Sequence, residues 1–177
     1  FFDIFIDLTP PDPPVVTGDT PTNNPRPTWT WTPGGGGNGT YRYDLNDSGT
    51  WTQTTATAFT PATDLGEGTH RLVVQERDAA GNWSVDSFFD IFIDLTPPTV
   101  LEVVVVDGLS VLVTFSEAMG AGMAIAANYI VSGSGQGTLA TSPAAVLPQS
   151  ATVYRITWDS GEMFLGGDIT ITVSNVQ

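Results

Sequence analysis

Where apolar and polar residues show a pattern along this chain, they alternate with a period of two, in short runs. Trp29 and Trp31 alternate with Thr28, Thr30 and Thr32; Tyr41, Tyr43 and Leu45 share one side of 40–45; Leu72 and Val74 share one side of 70–77. A two-residue period places successive side chains on opposite faces of an extended strand. The runs are separated by turn-forming stretches at Pro33–Gly39, Asn46–Gly49, Asp64–Gly68 and Asp78–Asn82. Strands are therefore expected at 15–17, 26–32 and 40–45, around Trp51 and Phe59, at 70–77 and at 84–94. Beyond residue 100 the clearest hairpin joins Val103–Val106 to Leu109–Phe115 through Asp107-Gly108. Leu109, Val111, Val113 and Phe115 form its apolar face. Later strands are expected at 153–158 and 168–173, and Glu117–Ala127 reads as a loop with a short helical turn. No long 3.6-residue apolar period occurs. Many short strands with turns between them indicate an all-β chain of two sandwich domains, 8–95 and 96–177, because one sandwich takes about 100 residues.

One stretch occurs twice. Phe1–Pro11 reads FFDIFIDLTPP, and Phe88–Pro98 repeats it 87 residues later, about one sandwich domain away. The sequence after Pro98 does not resemble that after Pro11, so the repeated unit is the one that ends in this motif. Residues 1–7 are accordingly expected to be the closing strand of a preceding copy. Phe2, Ile4, Ile6 and Leu8 fall on one face, with Asp3 and Asp7 on the other. Thr-Pro-Pro then ends the ladder and makes a short, stiff connection.

Composition narrows the chemistry. The net charge is −14, from 19 acidic residues against five arginines (Arg26, Arg42, Arg71, Arg77, Arg155) and no lysine. Nucleic-acid binding needs a basic stripe, so it is set aside, and anionic membrane surfaces would repel the chain. An acidic surface attracts cations, and calcium is the hard, oxygen-seeking one that aspartates suit. The absence of cysteine excludes disulfides, thiolate metal sites and thiol catalysis. No apolar run approaches ~20 residues, so no membrane insertion is expected in this segment. The apolar start lacks a basic n-region, and any export signal must lie outside the segment.

The candidates for enzymatic chemistry are thin. His70 is the one histidine; its parity with Leu72 and Val74 fits a strand end near the core rim, not a poised general base. Paired carboxylates hydrolyse glycosides in other proteins, but aspartates scattered over turns form accidental pairs. No enzymatic activity is expected. Trp29, Trp31, Trp51, Trp83 and Trp158 are either sugar-stacking surfaces or core, and aromatic residues dominate sandwich interiors.

Asp78-Ala-Ala-Gly-Asn-Trp-Ser84, followed by a strand and Asp94-Leu-Thr-Pro-Pro98, resembles the end of a bacterial immunoglobulin-like repeat of large surface proteins and adhesins. In the second domain, Val111–Met119, Ala127–Tyr129 and Trp158–Met163 resemble the Ig-like domain of S-layer and other exported bacterial proteins. These resemblances imply two tandem immunoglobulin-like β-sandwich domains at a cell surface or outside the cell. They also imply acidic residues at domain junctions that bind Ca²⁺ and stiffen a rod. The candidates are Asp78 and Asn82 in the turn, Asp94 in the linker and Asp107 in the next hairpin, which also serve as ordinary turn and strand-end residues. Phe2, Ile4, Ile6 and Leu8 are either a remnant of the upstream repeat or an exchangeable strand for β-strand addition to a neighbour.

The expected role is mechanical: a spacer, stalk or fibre segment whose partners are neighbouring domains of the same protein. Two alternatives stand beside it. One is a filament subunit joined to identical subunits through residues 1–8. The other is a module that binds a host or cell-surface glycan or protein through loops 33–39 and 117–122.

Overall fold

A computed structural model describes residues 5–120 and 122–174. The chain divides into two compact units, Phe1–Thr96 and Pro97–Gln177.

The first unit contains β1 (Val15–Thr17), β2 (Trp29–Thr32), β3 (Thr40–Leu45), β4 (Thr52–Thr54), β5 (Ala58–Phe59), β6 (Gly68–Arg77) and β7 (Ser87–Ile93). Among the described residues it holds two antiparallel sheets, in the orders β1-β2-β5 and β4-β3-β6-β7. Period-two alternation decides which side chains meet between them. Val16, Trp29 and Trp31 from one sheet pack against Tyr41, Leu72, Val74, Ile91 and Ile93 from the other. Burying a side chain of this size contributes about 1.5–3 kcal/mol. The Trp29 indole N–H donates to the Phe89 carbonyl (3.0 Å), so its polar edge is satisfied inside the core.

Strand β7 turns Ile91 and Ile93 inward and leaves Phe88 and Phe92 exposed. The inward set matches the face expected of its sequence twin. In that twin, Phe2 and Ile4 lie outside the described residues, whereas Phe5, Ile6 and Leu8 are exposed and residues 5–8 join no ladder.

The second unit contains β8 (Val100–Asp107), β9 (Ser110–Phe115), a 3-10 turn (Ala126–Asn128), β10 (Tyr129–Ser132), β11 (Ala145–Pro148), β12 (Val153–Thr157) and β13 (Thr170–Val173). Its sheets among the described residues are β11-β12-β9-β8 and β10-β13. Val111, Val113, Phe115, Tyr129, Val131, Val146, Ile156 and Trp158 are buried in its core. Strands β10 and β11 were not expected from the sequence. Each is only four residues long, too short for alternation to stand out.

Numbered within its unit, the larger sheet of unit 2 runs first, second, fifth, fourth strand, and the smaller holds the third and sixth. This is the A-B-E-D and C-F arrangement of an immunoglobulin sandwich. Unit 1 distributes its seven strands as A-B-E and C′-C-F-G. The protein is a tandem of two immunoglobulin-like β-sandwiches. No helix among the described residues is long and apolar enough to cross a membrane.

Candidate functional site

A turn closed by several hydrogen bonds lies at the end of unit 1 where β6 turns towards β7. Asp78 closes this turn. Its Oδ1 accepts the N–H groups of Gly81 (2.6 Å) and Asn82 (2.8 Å), and its Oδ2 accepts the Asn82 side-chain amide (2.9 Å). The Asn82 side-chain bond, aided by the backbone donors and opposed by burial, holds the Asp78 carboxyl below its ordinary range. The same Asn82 amide also donates to the Asp7 carbonyl (3.0 Å), tying the incoming chain to the turn.

The glycine-rich loop between β2 and β3 grips the next residues of that incoming chain. Asp12 N–H donates to the Gly35 carbonyl (3.0 Å). Gly34 lies so close to the Asp12 and Pro13 carbonyls that any β-carbon there would overlap backbone. Its N–H donates to Glu76 Oε2 (3.2 Å). On the inner side of the loop, Gly37 packs directly on the Glu76 side chain, leaving no room for a methyl group. Asn38 joins loop to turn, its backbone N–H donating to the Arg77 carbonyl and its side chain to the Asp78 carbonyl (2.8 Å each).

Glu76 is the polar anchor beneath the loop and is only 1% exposed. It stands opposite Tyr41 across the β3–β6 ladder. The Tyr41 hydroxyl is pushed above its usual value by burial first, then by the charge of Glu76 and their hydrogen bond. A buried carboxylate is tolerated only when its acceptor capacity is used, and the loop supplies a donor. Together Asn82, Gly34–Gly37 and Glu76 form a clamp on residues 7–13, built largely from backbone contacts.

Of the expected calcium set, Asp78, Asn82 and Asp94 lie in unit 1 and Asp107 in unit 2. Asp78 and Asn82 meet, but Asp94 follows β7 at the opposite end of the sheet, because Gly68 at the start of β6 pairs with Ile93. The strand between them spans roughly 30 Å. Asp94 Oδ1 accepts the Thr96 N–H (3.1 Å). Asp107, in unit 2, accepts Leu109 N–H (2.9 Å) and an Arg155 amino group (3.3 Å). Among the described residues, no three His, Cys, Asp or Glu side chains form a metal-holding group. Calcium wants six to eight oxygens, whereas both oxygens of Asp78 already face N–H donors. The linker aspartate that reaches the Asp78 turn is Asp7, the repeat-equivalent of Asp94. The 87-residue offset contained that assignment. Nothing in the sequence pattern marked Glu76 or Asp12.

The other candidates resolve individually. Trp29, Trp31 and Trp158 are buried. Trp51 and Trp83 are half-buried and sandwich the Arg42 guanidinium, 4.5 and 4.4 Å from their ring centres, so one face of each is already used. Both ring nitrogens of His70 are engaged, one with Asn46 Nδ2 (3.0 Å) and one with the Gly66 carbonyl (2.8 Å). Loop 33–39 is occupied by the chain itself. In loop 117–122, Met119 packs against the core of unit 2.

Comparison with known proteins adds a family. A family profile described as bacterial Ig-like domain matches residues 6–95. No curated protein sequence matches the chain. Among solved structures, a chitinase from Bacillus thuringiensis is similar at 16% identity and a TM-score of 0.41; the match covers 99% of this chain but 29% of that one. The central fibronectin-III array of RIM-binding protein is similar at 13% identity and a TM-score of 0.36, over 93% of this chain and 62% of that one. The FN1–FN3 domains of chicken CNTN1 are similar at 16% identity and a TM-score of 0.37, over 93% and 69%.

Proposed function

The chain belongs to the bacterial Ig-like domain family through residues 6–95, and from that premise we propose that it is a structural spacer, a segment of a stalk or fibre in a surface protein acting outside the cell. The observation that carries this reading is the clamp. The motif that closes one repeat enters the next through Asp7 and Asp12, and Asn82 and the glycine loop hold it by backbone contacts. Such a junction restricts the direction in which a preceding domain projects, which is what a spacer requires. Family resemblance does not carry a ligand. The resemblance of the second unit to S-layer Ig-like domains belongs to the same proposal.

The test is small-angle scattering of two tandem copies of residues 1–96, spaced as the 87-residue repeat prescribes. The expected particle is elongated with a narrow distance distribution, and Asn82→Ala broadens it. A broad distribution in the unaltered tandem would overturn the spacer reading. Calorimetric melts of the same protein with calcium and with chelator test the calcium expectation separately: a melting temperature that calcium raises requires a site built from groups beyond Asp78 and Asn82.

A second reading, a subunit that self-assembles through residues 1–8, is favoured by one observation. Phe5, Ile6 and Leu8 are 90%, 72% and 79% exposed, although Phe92 and Ile93, the twins of Phe5 and Ile6, lie in β7 and complete a sheet.

A further inference from the structure

The chain sets 19 acidic residues against five arginines, so carboxylates are plentiful as partners. Three arginines take one: Arg26 pairs with Asp64, Arg71 with Asp90 and Arg155 with Asp107. Among the described residues, Arg42 and Arg77 form no ion pair. Both are half-buried, where a charge without a counter-ion is unfavourable. They are also neighbours. Across the β3–β6 ladder Arg42 stands opposite Gln75 and Thr40 opposite Arg77, which places the two arginines diagonally on the outer face of the sheet, away from the inward Tyr41 and Val74. Both guanidinium groups stand over one ring, 4.4 and 5.6 Å from the centre of Trp83.

The surroundings hold these groups in place. Arg42 Nε donates to Gln75 Oε1 (2.6 Å), and Gln75 Nε2 donates in turn to Asp86 Oδ1 (2.7 Å). Arg77 Nε donates to the Gly81 carbonyl (3.3 Å). Val73 points to this same outer face by its alternation with Leu72 and Val74, yet it is only 6% exposed, so the side chains of the face lie down over the sheet. Each guanidinium thus uses its Nε on the protein and keeps its two amino groups. Those amino groups, and the indole N–H groups of Trp51 and Trp83, meet no acceptor among the described residues. Guanidinium and indole have no acceptor capacity of their own, and a stacked guanidinium donates in its own plane, away from the rings. The result is a positively charged cluster of donors bounded by apolar ring surface.

We propose that Arg42, Arg77, Trp51 and Trp83 bind a carboxylated sugar of the uronic acid class. The carboxylate supplies the missing counter-charge and two acceptors in one plane for the guanidinium forks. Hydroxyl oxygens of the sugar accept the indole N–H groups, and the C–H-bearing side of its ring packs on the exposed part of the half-buried indoles. A peptide suits the face less well, because β3 and β6 are paired on both sides and present no backbone edge for strand addition. One carboxylate suits it better than a run of them, since a net charge of −14 repels a polyanion. The site lies wholly within unit 1 and does not depend on the spacer role.

The test follows tryptophan emission and binding heat of the full chain during titration with glucuronate, glucose and acetate at constant ionic strength. Glucose has the ring without the carboxylate, and acetate the carboxylate without the ring. Saturable binding of glucuronate is expected, with none of glucose and binding of acetate at least about tenfold weaker. Arg77→Gln, which leaves the Arg42 stack in place, should weaken glucuronate binding by about tenfold or more. Arg71→Gln removes an arginine already paired with Asp90 and should leave it unchanged. Urea midpoints establish that both variants are folded, and the comparison of ligands on the unaltered chain stands without them. Equal affinity for acetate and glucuronate overturns the sugar and leaves a simple anion site. Tighter binding of a capped tripeptide with one aspartate overturns it in favour of a protein partner. Neither emission change nor heat with any of these ligands, or a glucuronate affinity unmoved by Arg77→Gln, overturns the site itself.

Discussion

The glycine loop of unit 1 should be energetically coupled to a glutamate distant in sequence. Gly37 packs on the buried side chain of Glu76 so closely that a β-carbon would overlap its carboxyl group. Gly37→Ala must therefore displace Glu76 or the loop, at about 1–3 kcal/mol for overpacking of this kind. Glu76→Ala removes the acceptor used by the Gly34 N–H and the Tyr41 hydroxyl. Leaving a buried donor unpaired costs about 1–3 kcal/mol, so two of them with the lost packing bring Glu76→Ala to about 3–5 kcal/mol. In the double variant the new methyl group enters the vacated space, and the combined cost falls short of the sum by at least about 1 kcal/mol. Gly39→Ala separates packing from backbone strain. Its φ of +77° disfavours alanine, but nothing lies within 4 Å of the added carbon. It should cost about 1–2 kcal/mol and show no coupling to Glu76. Urea unfolding followed by tryptophan fluorescence reads chiefly unit 1, since Trp29, Trp31, Trp51 and Trp83 lie there and Trp158 alone lies in unit 2. Additivity of Gly37→Ala and Glu76→Ala within about 0.5 kcal/mol, or a neutral Gly37→Ala, refutes the packing described for the clamp.

Stability should fall at both pH extremes for different reasons. The carboxyls of Asp78 (Asn82 side chain), Asp90 (Arg71 side chain) and Asp107 (Leu109 N–H) are all held below their ordinary values. A carboxyl depressed in the folded state stabilises above its unfolded value near ~3.9 and loses that contribution as pH drops through the folded value. Melting temperature should therefore be level down to about pH 4 and decline below it; an unchanged value at lower pH contradicts the bonds. Burial pushes the Tyr129 hydroxyl up to about 12. Its contribution is intact below the unfolded value near ~10 and is lost as pH rises through the folded one, about 3 kcal/mol in all. Tyr129→Phe should flatten that alkaline loss in urea midpoints, at a cost of about 1 kcal/mol for the hydrogen bond to the Met123 carbonyl. Arg42→Ala should cost about 1–2 kcal/mol and red-shift the fluorescence of Trp51 and Trp83, whose faces it covers. Arg42→Lys should not restore the spectrum, since an ammonium lacks the planar stack; an unaltered spectrum in Arg42→Ala removes the sandwich from solution.

What the sequence by itself determined was local or repetitive. Alternation at Trp29-Trp31, Tyr41-Tyr43 and Leu72-Val74 specified strands and their inward faces, because a strand's two-residue period is a property of the extended backbone alone. Turns such as Asp107-Gly108 located hairpins for the same reason. The identity of residues 1–11 and 88–98 announced a repeat before any contact was known. Four-residue strands such as Tyr129–Ser132 offered too few positions for a period to register. Tertiary structure alone decided the rest. That Gly37 must be glycine depends on a glutamate brought beneath it by the β3–β6 ladder, and that Asp94 lies far from Asp78 depends on antiparallel register. That β10 and β13 share one sheet of unit 2 while its other four strands share another was likewise decided by tertiary pairing. Which strands lie side by side is set by contacts between elements distant in the chain, and no local pattern of apolar and polar residues encodes what stands beside a strand's edge.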